Sequence, residues 1–207
     1  MLEQLASIRA YLASEKFSVA VVGEFNRGKS TLVNRLIGRD IIPTSDIPTT
    51  SLPIYVSGGE QESITLKTVH GQKQYPVAEK SWEAIEEEKK KLRETKGAIL
   101  LKRNCGLLME NDLELVDTPG VNSQIRGDLS MAEQALSGCD CAILPMAAIA
   151  AFSESEKLFL QERILMKKVP RIMVVLTKLD LVEEIQRLSV VESVQRKLEA
   201  MEAEIPL

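Results

Sequence analysis

The octapeptide Gly23-Glu24-Phe25-Asn26-Arg27-Gly28-Lys29-Ser30 has the spacing GxxxxGK(S/T). Its two glycines let the backbone wrap tightly with N–H groups turned inward. A helix starting at the end of the loop adds partial positive charge, so the loop can cradle phosphate oxygens. Lys29 then reaches the β- and γ-phosphates of a nucleotide, and the Ser30 hydroxyl ligates Mg²⁺. Both flanks suit that chemistry. Phe17 to Val22 is a short, almost continuously apolar run of the kind buried in a parallel sheet. Thr31, Leu32, Leu36 and Ile37 carry the loop into a helix at about 30–37.

Two further motifs select the nucleotide and sense it. Thr177-Lys178-Leu179-Asp180 follows the apolar run Ile172–Leu176 and fits the N/T-K-x-D element. There the aspartate carboxylate accepts hydrogen bonds from the N1–H and exocyclic amine of guanine, while the lysine stem covers the base. Adenine would leave that carboxylate desolvated and unpaired, a discrimination worth about 10⁴–10⁵. Asp117-Thr118-Pro119-Gly120 follows the run Leu113–Val116. Its carboxylate can hold Mg²⁺ through water, and the Gly120 N–H can reach a γ-phosphate. Between the phosphate loop and Asp117 lies Ile47-Pro48-Thr49-Thr50-Ser51-Leu52-Pro53, where a threonine can close over metal and γ-phosphate in the triphosphate state. Thr50 is the first candidate and Thr49 the second.

The elements that must position these motifs alternate. Apolar runs at Phe17–Val22, Leu113–Val116, Ala142–Met146 and Ile172–Leu176 are separated by helical patterns at about 30–37, 128–137 and 153–167. Strand and helix in alternation predict a doubly wound, three-layer α/β/α fold with a mostly parallel sheet. Between the first two runs the pattern predicts a strand near 52–57 with a hairpin partner at 63–69, a polar helix at 78–95 and a strand at 98–103. Leu2, Leu5, Ile8 and Leu12 predict an amphipathic helix over 2–14.

Composition narrows the class. The 207 residues are 44% apolar and 27% charged, with one histidine and three cysteines, which fits one globular domain. His70 alone leaves little room for a zinc site or a histidine-based triad. Cys139-Asp140-Cys141 offers neither a disulfide framework nor a CxxC pair, which predicts a reducing, cytoplasmic setting. A net charge of −4 argues against broad nucleic-acid binding. The longest apolar run, 141–152, contains Pro145 and is too short for a bilayer span.

Gly23 to Thr31, Pro48-Thr49-Thr50, Asp117 to Gly120 and Thr177 to Asp180 together resemble the GTPase domain of bacterial dynamin-like proteins, over residues 17 to about 180. Glu24-Phe25 inside the loop and TKLD in place of NKxD are its most specific marks. The resemblance implies a large GTPase that dimerises through its G domains and remodels membranes. It also implies that membrane contact comes from segments outside this stretch. On this reading residues 1–16 form an N-terminal helix and 17–207 a G domain. After Asp180 such a domain calls for one more strand, so the domain is expected to be incomplete at its C-terminal end. A ribosome-assembly type of G protein, and a GTP-dependent dimerisation switch with negligible catalysis, are the alternative readings.

In Ras-type GTPases a glutamine directly after the second-switch glycine orients the attacking water. Here that position is Val121, so another group must do so, and Gln124 is a reserve candidate. Asn26 resembles the loop asparagine of GTPases that bind K⁺ beside the phosphates; its alternative is a loop cap. Arg27 is either a transition-state cation across a dimer or a solvated side chain. Elsewhere, Glu86–Lys90 and Glu87–Lys91 at i,i+4 predict a salt-bridged helix face, with Trp82 and Ile85 packing inward. His70 is expected in a turn between strands. Ile185, Leu188, Val191, Val194, Leu198 and Met201 predict a core-facing final helix.

Overall fold

A computed structural model describes residues 16–44, 52–92, 97–120, 126–167 and 169–201. The predicted helix at 2–14 lies outside them. Eight strands form one sheet: β1 (Phe17–Val21), β2 (Ile54–Gly58), β3 (Ser63–Thr68), β4 (Gly71–Tyr75), β5 (Gly97–Arg103), β6 (Leu113–Asp117), β7 (Cys141–Ala147) and β8 (Ile172–Thr177). Their order across the sheet is β4-β3-β5-β2-β6-β1-β7-β8. β6, β1, β7 and β8 are parallel neighbours. β2 is antiparallel to β6 but parallel to β5, and β3 runs antiparallel to both β5 and β4.

The sheet is covered on two faces because successive strand residues point to opposite sides. Val19 and Val21 pack with Leu115 against α1 (Lys29–Leu36), α2 (Glu79–Leu92) and α3 (Gly106–Glu110), in a core that includes Val33, Ile85 and Leu108. Ala20, Val22 and Val116 face the other way, toward α4 (Arg126–Ser137), α5 (Glu154–Phe159) and α6 (Glu184–Glu199), where Leu136, Phe159, Val194 and Leu198 are buried. This is the three-layer arrangement the alternation predicts.

Four expectations need correction. The run near 52–57 does not form a hairpin with the run at 63–69. β5 inserts between β2 and β3, pairing Ile54 with Ile99 and Ile64 with Leu101. The hairpin is instead β3–β4, turning at Val69-His70, where His70 is exposed. The helix at 153–167 is α-helical only to Phe159, then widens to a π turn (Leu160–Ile164) and tightens to a 3₁₀ turn (Leu165–Lys167). On α6 only the C-terminal half of the apolar stripe is buried, since Ile185 is 89% and Leu188 69% exposed.

On α2, Trp82 and Ile85 pack inward as predicted. Its ion pairs among the described residues, however, join Glu86 to Lys89 at 2.7 Å and Glu88 to Lys73 of β4 at 2.7 Å, rather than Glu86 to Lys90 and Glu87 to Lys91.

Candidate functional site

The three motifs emerge from the C-terminal ends of β1, β6 and β8, the edge where open α/β sheets place their ligands. The phosphate loop leaves β1 through Gly23. A Cβ there would meet Leu144 Cδ1 at 3.1 Å, so the loop packs directly on β7. Gly28 is the N-cap of α1 at φ 85°, a left-handed conformation that favours glycine. Lys29 is buried, and its ammonium donates to the carbonyls of Gly23 (3.1 Å) and Glu24 (2.7 Å) across the loop. Thr31 lies in the first turn of α1 and is exposed.

Asp117 ends β6 beside the loop. Its Oδ2 accepts from Ser30 Oγ at 2.6 Å, while Oδ1 is buried without a hydrogen-bond partner among the described residues. Burial pushes this carboxyl up from 3.8 to about 6, against the opposing pull of the Ser30 hydrogen bond and the Lys29 charge. A buried serine–aspartate pair with one idle oxygen fits a divalent cation, whose charge would satisfy that oxygen and lower the raised pKa. Among the described residues no cluster of three or more His, Cys, Asp or Glu side chains forms a metal site. Magnesium at Ser30 and Asp117 would therefore draw much of its coordination from phosphate and water.

The Asp117-to-Gly120 segment is fastened to the loop. Thr118 donates its hydroxyl to Val21 O at 2.9 Å. At Gly120 an added Cβ would lie 2.7 Å from Phe25 Cα, so the two backbones touch and only glycine fits there. The TKLD segment is fastened from the other side. Thr177 Oγ1 donates to Arg27 O at 2.8 Å, and Lys178 Nζ donates to Asn26 Oδ1 at 2.9 Å. Asn26 and Lys178 both adopt left-handed conformations, with φ of 59° and 57°. Asp180 sits exposed in the 3₁₀ turn Leu179–Leu181.

Thr49 and Thr50 fall outside the described residues, as do Val121 and Gln124. The ends of the 45–51 segment are nevertheless fixed. Asn34, buried on α1, accepts from Ile42 N at 2.9 Å and donates to Ile42 O at 2.8 Å. Beyond the segment, Leu52 is buried and Ile54 pairs with Asp117.

Arg27 is held within the domain by two carboxylates rather than solvated. Its Nη2 is 2.6 Å from Glu24 Oε2, and its Nε is 2.9 Å from Glu156 Oε1 on α5. Asn34 and Glu156 are not legible from the sequence as site residues. Their only signals are an asparagine amid the apolar pattern of a helix and a Ser153-x-x-Glu156 capping pattern.

A phosphate loop, a carboxylate at its serine and a T-K-L-D turn gathered on one sheet edge define a P-loop nucleotide-binding domain. The sequence matches the Dynamin family over residues 19–179. The chain therefore belongs to the dynamin family and carries that family's GTPase domain. It is 27% identical over 176 residues to an uncharacterised protein of the xynA 3′ region of Caldicellulosiruptor sp. (strain Rt8B.4), covering 84% of this chain and 43% of that one. It is 25% identical over 160 residues to a bacterial dynamin-like protein of Nostoc punctiforme (strain ATCC 29133 / PCC 73102), covering 72% and 23%. The fold is similar to that of a chain in the solved structure of an oligomerised bacterial dynamin pair. There the TM-score is 0.66 at 20% identity, covering 96% of this chain and 33% of that one. The chain thus spans less than half the length of these relatives.

Proposed function

We propose that this chain binds Mg²⁺–GTP at the edge formed by β1, β6 and β8 and hydrolyses it, and that turnover is coupled to dimerisation of G domains. The observation that supports this reading is the mutual fastening of the phosphate loop, Asp117-to-Gly120 and TKLD. In the proposed site the backbone of Gly23 to Gly28 surrounds the phosphates. Lys29 exchanges its two loop carbonyls for the β- and γ-phosphates. Ser30 and Asp117 hold Mg²⁺, which supplies charge neutralisation on the phosphates when bound. Thr50, with Thr49 the alternative, and the Gly120 N–H report the γ-phosphate. Asp180 reads the guanine edge, and the Lys178 stem covers the base.

Membership of the dynamin family, and a structural neighbour described as sensing and tethering membranes, support a membrane-remodelling role at the cytoplasmic face, with membrane contact made outside this stretch. Among the described residues no helix is long and apolar enough to cross a membrane. The Asn26 carboxamide oxygen has a cation to accept in either state: the Lys178 ammonium in this structure, and K⁺ once phosphates are bound.

Phosphate release from GTP, ATP and XTP tests the reading. The wild-type chain is expected to prefer GTP by at least about 10³-fold, and Asp180→Asn to shift that preference toward XTP, whose edge presents a carbonyl where guanine presents its amine. Turnover is expected to be faster in KCl than in NaCl at matched ionic strength. Equal use of ATP and GTP would overturn the TKLD assignment, and equal rates in the two salts the K⁺ assignment.

A further inference from the structure

Glu156 lies outside every nucleotide motif, yet its carboxylate reaches the phosphate loop. It is the third residue of α5 and is 1% exposed. Its Oε2 accepts from Ser153 N at 2.9 Å and from Ser153 Oγ at 3.1 Å, completing a capping box. Its Oε1 lies 2.9 Å from Arg27 Nε. Those two atoms are not aligned as a hydrogen bond, and neither finds another hydrogen-bond partner among the described residues, so they meet as a close ion pair. Glu24 holds the other end of the same guanidinium. Two flanking carboxylates thus balance the Arg27 charge within the protein.

The turn that presents Glu156 is itself built. Phe152, directly before the Ser153 cap, is buried with φ at 60°, a left-handed conformation unfavourable to a residue carrying a Cβ. Burial of the ring within the core, with the Lys197 ammonium 5.6 Å from its centroid, holds that conformation. At the other end of the contact, the Arg27 carbonyl is fixed by Thr177. Arg27 is thus held through its side chain by α5 and through its carbonyl by β8.

We propose that Glu156 is a positioning residue for nucleotide binding: by holding Arg27 it fixes the phosphate loop from behind and ties α5 to nucleotide affinity. This rests on the reading of the loop as a GTP site. The test is fluorescence titration of the full chain with N-methylanthraniloyl-GDP. Glu156→Gln keeps an acceptor for Ser153 and removes the charge; it is expected to weaken binding about tenfold. Arg27→Gln should weaken binding to a similar extent. The double variant should be no weaker than either single one, because both remove the same contact.

Ser153→Ala removes the cap and one hydrogen bond to Glu156 Oε2, but keeps the backbone N–H donor to that oxygen and the ion pair through Oε1, and should lower the unfolding temperature while leaving GDP affinity within about twofold. Should Glu156→Gln not fold, the contrast between Arg27→Gln and Ser153→Ala decides the same question. Wild-type affinity in the Glu156→Gln or Arg27→Gln variant would overturn the proposal. So would multiplying effects in the double variant, or equal weakening by Ser153→Ala. A wild-type chain that fails to bind the nucleotide would overturn the GTP reading along with it. Where the wild-type chain binds, the variants bear on Glu156 alone.

Discussion

The two halves of the sheet are built by different rules. In β6-β1-β7-β8 the strands are parallel, and all but the edge strand β8 are buried on both faces, with one core packed under α1 and another under α4, α5 and α6. In the wing formed by β2, β5, β3 and β4 the directions are mixed. Its buried apolar side chains, Ile54, Val56, Ile64, Leu66, Ile99 and Leu101, belong to the core on one face only. All three nucleotide motifs leave the parallel half. A strand fixed on two faces holds the loop at its end more firmly than one fixed on a single face. Positioning of phosphate-binding groups to within fractions of an ångström is what such a loop requires. The wing instead contributes apolar area and buries the start of β2 beside Asp117.

The largest expected effect separates the halves by function. Lys29→Ala removes the ammonium that bridges the loop carbonyls and is assigned to the phosphates. Nucleotide affinity should fall by at least about 100-fold, the equivalent of losing two charge-assisted hydrogen bonds. The unfolding temperature should change by less than about 5 °C, since the cores on both faces remain intact. Titration with labelled GDP beside a thermal melt checks both parts. Retained affinity would remove the parallel half's claim to the site.

A smaller effect tests the wing. Ile85 of α2 is fully buried in the core to which β3 and β5 contribute Ile64, Leu66, Ile99 and Leu101. Truncation to alanine should cost about 2–5 kcal/mol of stability. GDP affinity, measured well below the new melting temperature, should stay within about threefold. A parallel loss of affinity would show that the wing positions the site as well as supporting it.

The halves also differ in how far they can be read from the chain. Burial on both faces writes a strand as a continuous apolar run, and Phe17 to Val22 followed by a glycine and a periodic helix admits few other structures. Hence the parallel strands and the loops that leave them are legible. In the wing, β2 and β3 are joined by four residues, 59–62, which reads locally as a hairpin. The partner that actually separates them, β5, arrives some thirty residues after β3 ends. Only packing of Ile99 and Leu101 between the two strands decides that, and no local pattern carries it. Arg27 and Glu156 are 129 positions apart and meet only once α5 docks. The stripe on α6 misleads for a related reason: periodicity shows which residues share a face, not whether that face is covered.

The smallest effect has the sharpest sign. Burial raises the Asp117 carboxyl from 3.8 to about 6, so the ionised form is disfavoured in the folded, nucleotide-free chain. A raised carboxyl pKa contributes stability that is present in full below pH 3.8 and is lost as pH rises through about 6. At pH 7 the charged group therefore opposes folding by up to about 3 kcal/mol, at 1.4 kcal/mol per pH unit. Asp117→Asn removes that charge while keeping an oxygen for Ser30. The nucleotide-free variant should be about 1–3 kcal/mol more stable than wild type at pH 7, with the gain fading toward pH 4. Its Mg²⁺-dependent nucleotide affinity should fall at the same time. Urea melts at pH 7 and pH 4, with titrations in Mg²⁺ and in EDTA, measure both sides. Ile85→Ala should show the same destabilisation at both pH values, because no titrating group is involved. A stability gain confined to Asp117 and to neutral pH would mark the parallel half as the place where folding stability is given up for metal binding. Loss of stability in Asp117→Asn at pH 7 would show instead that the Ser30 hydrogen bond outweighs desolvation of the carboxylate.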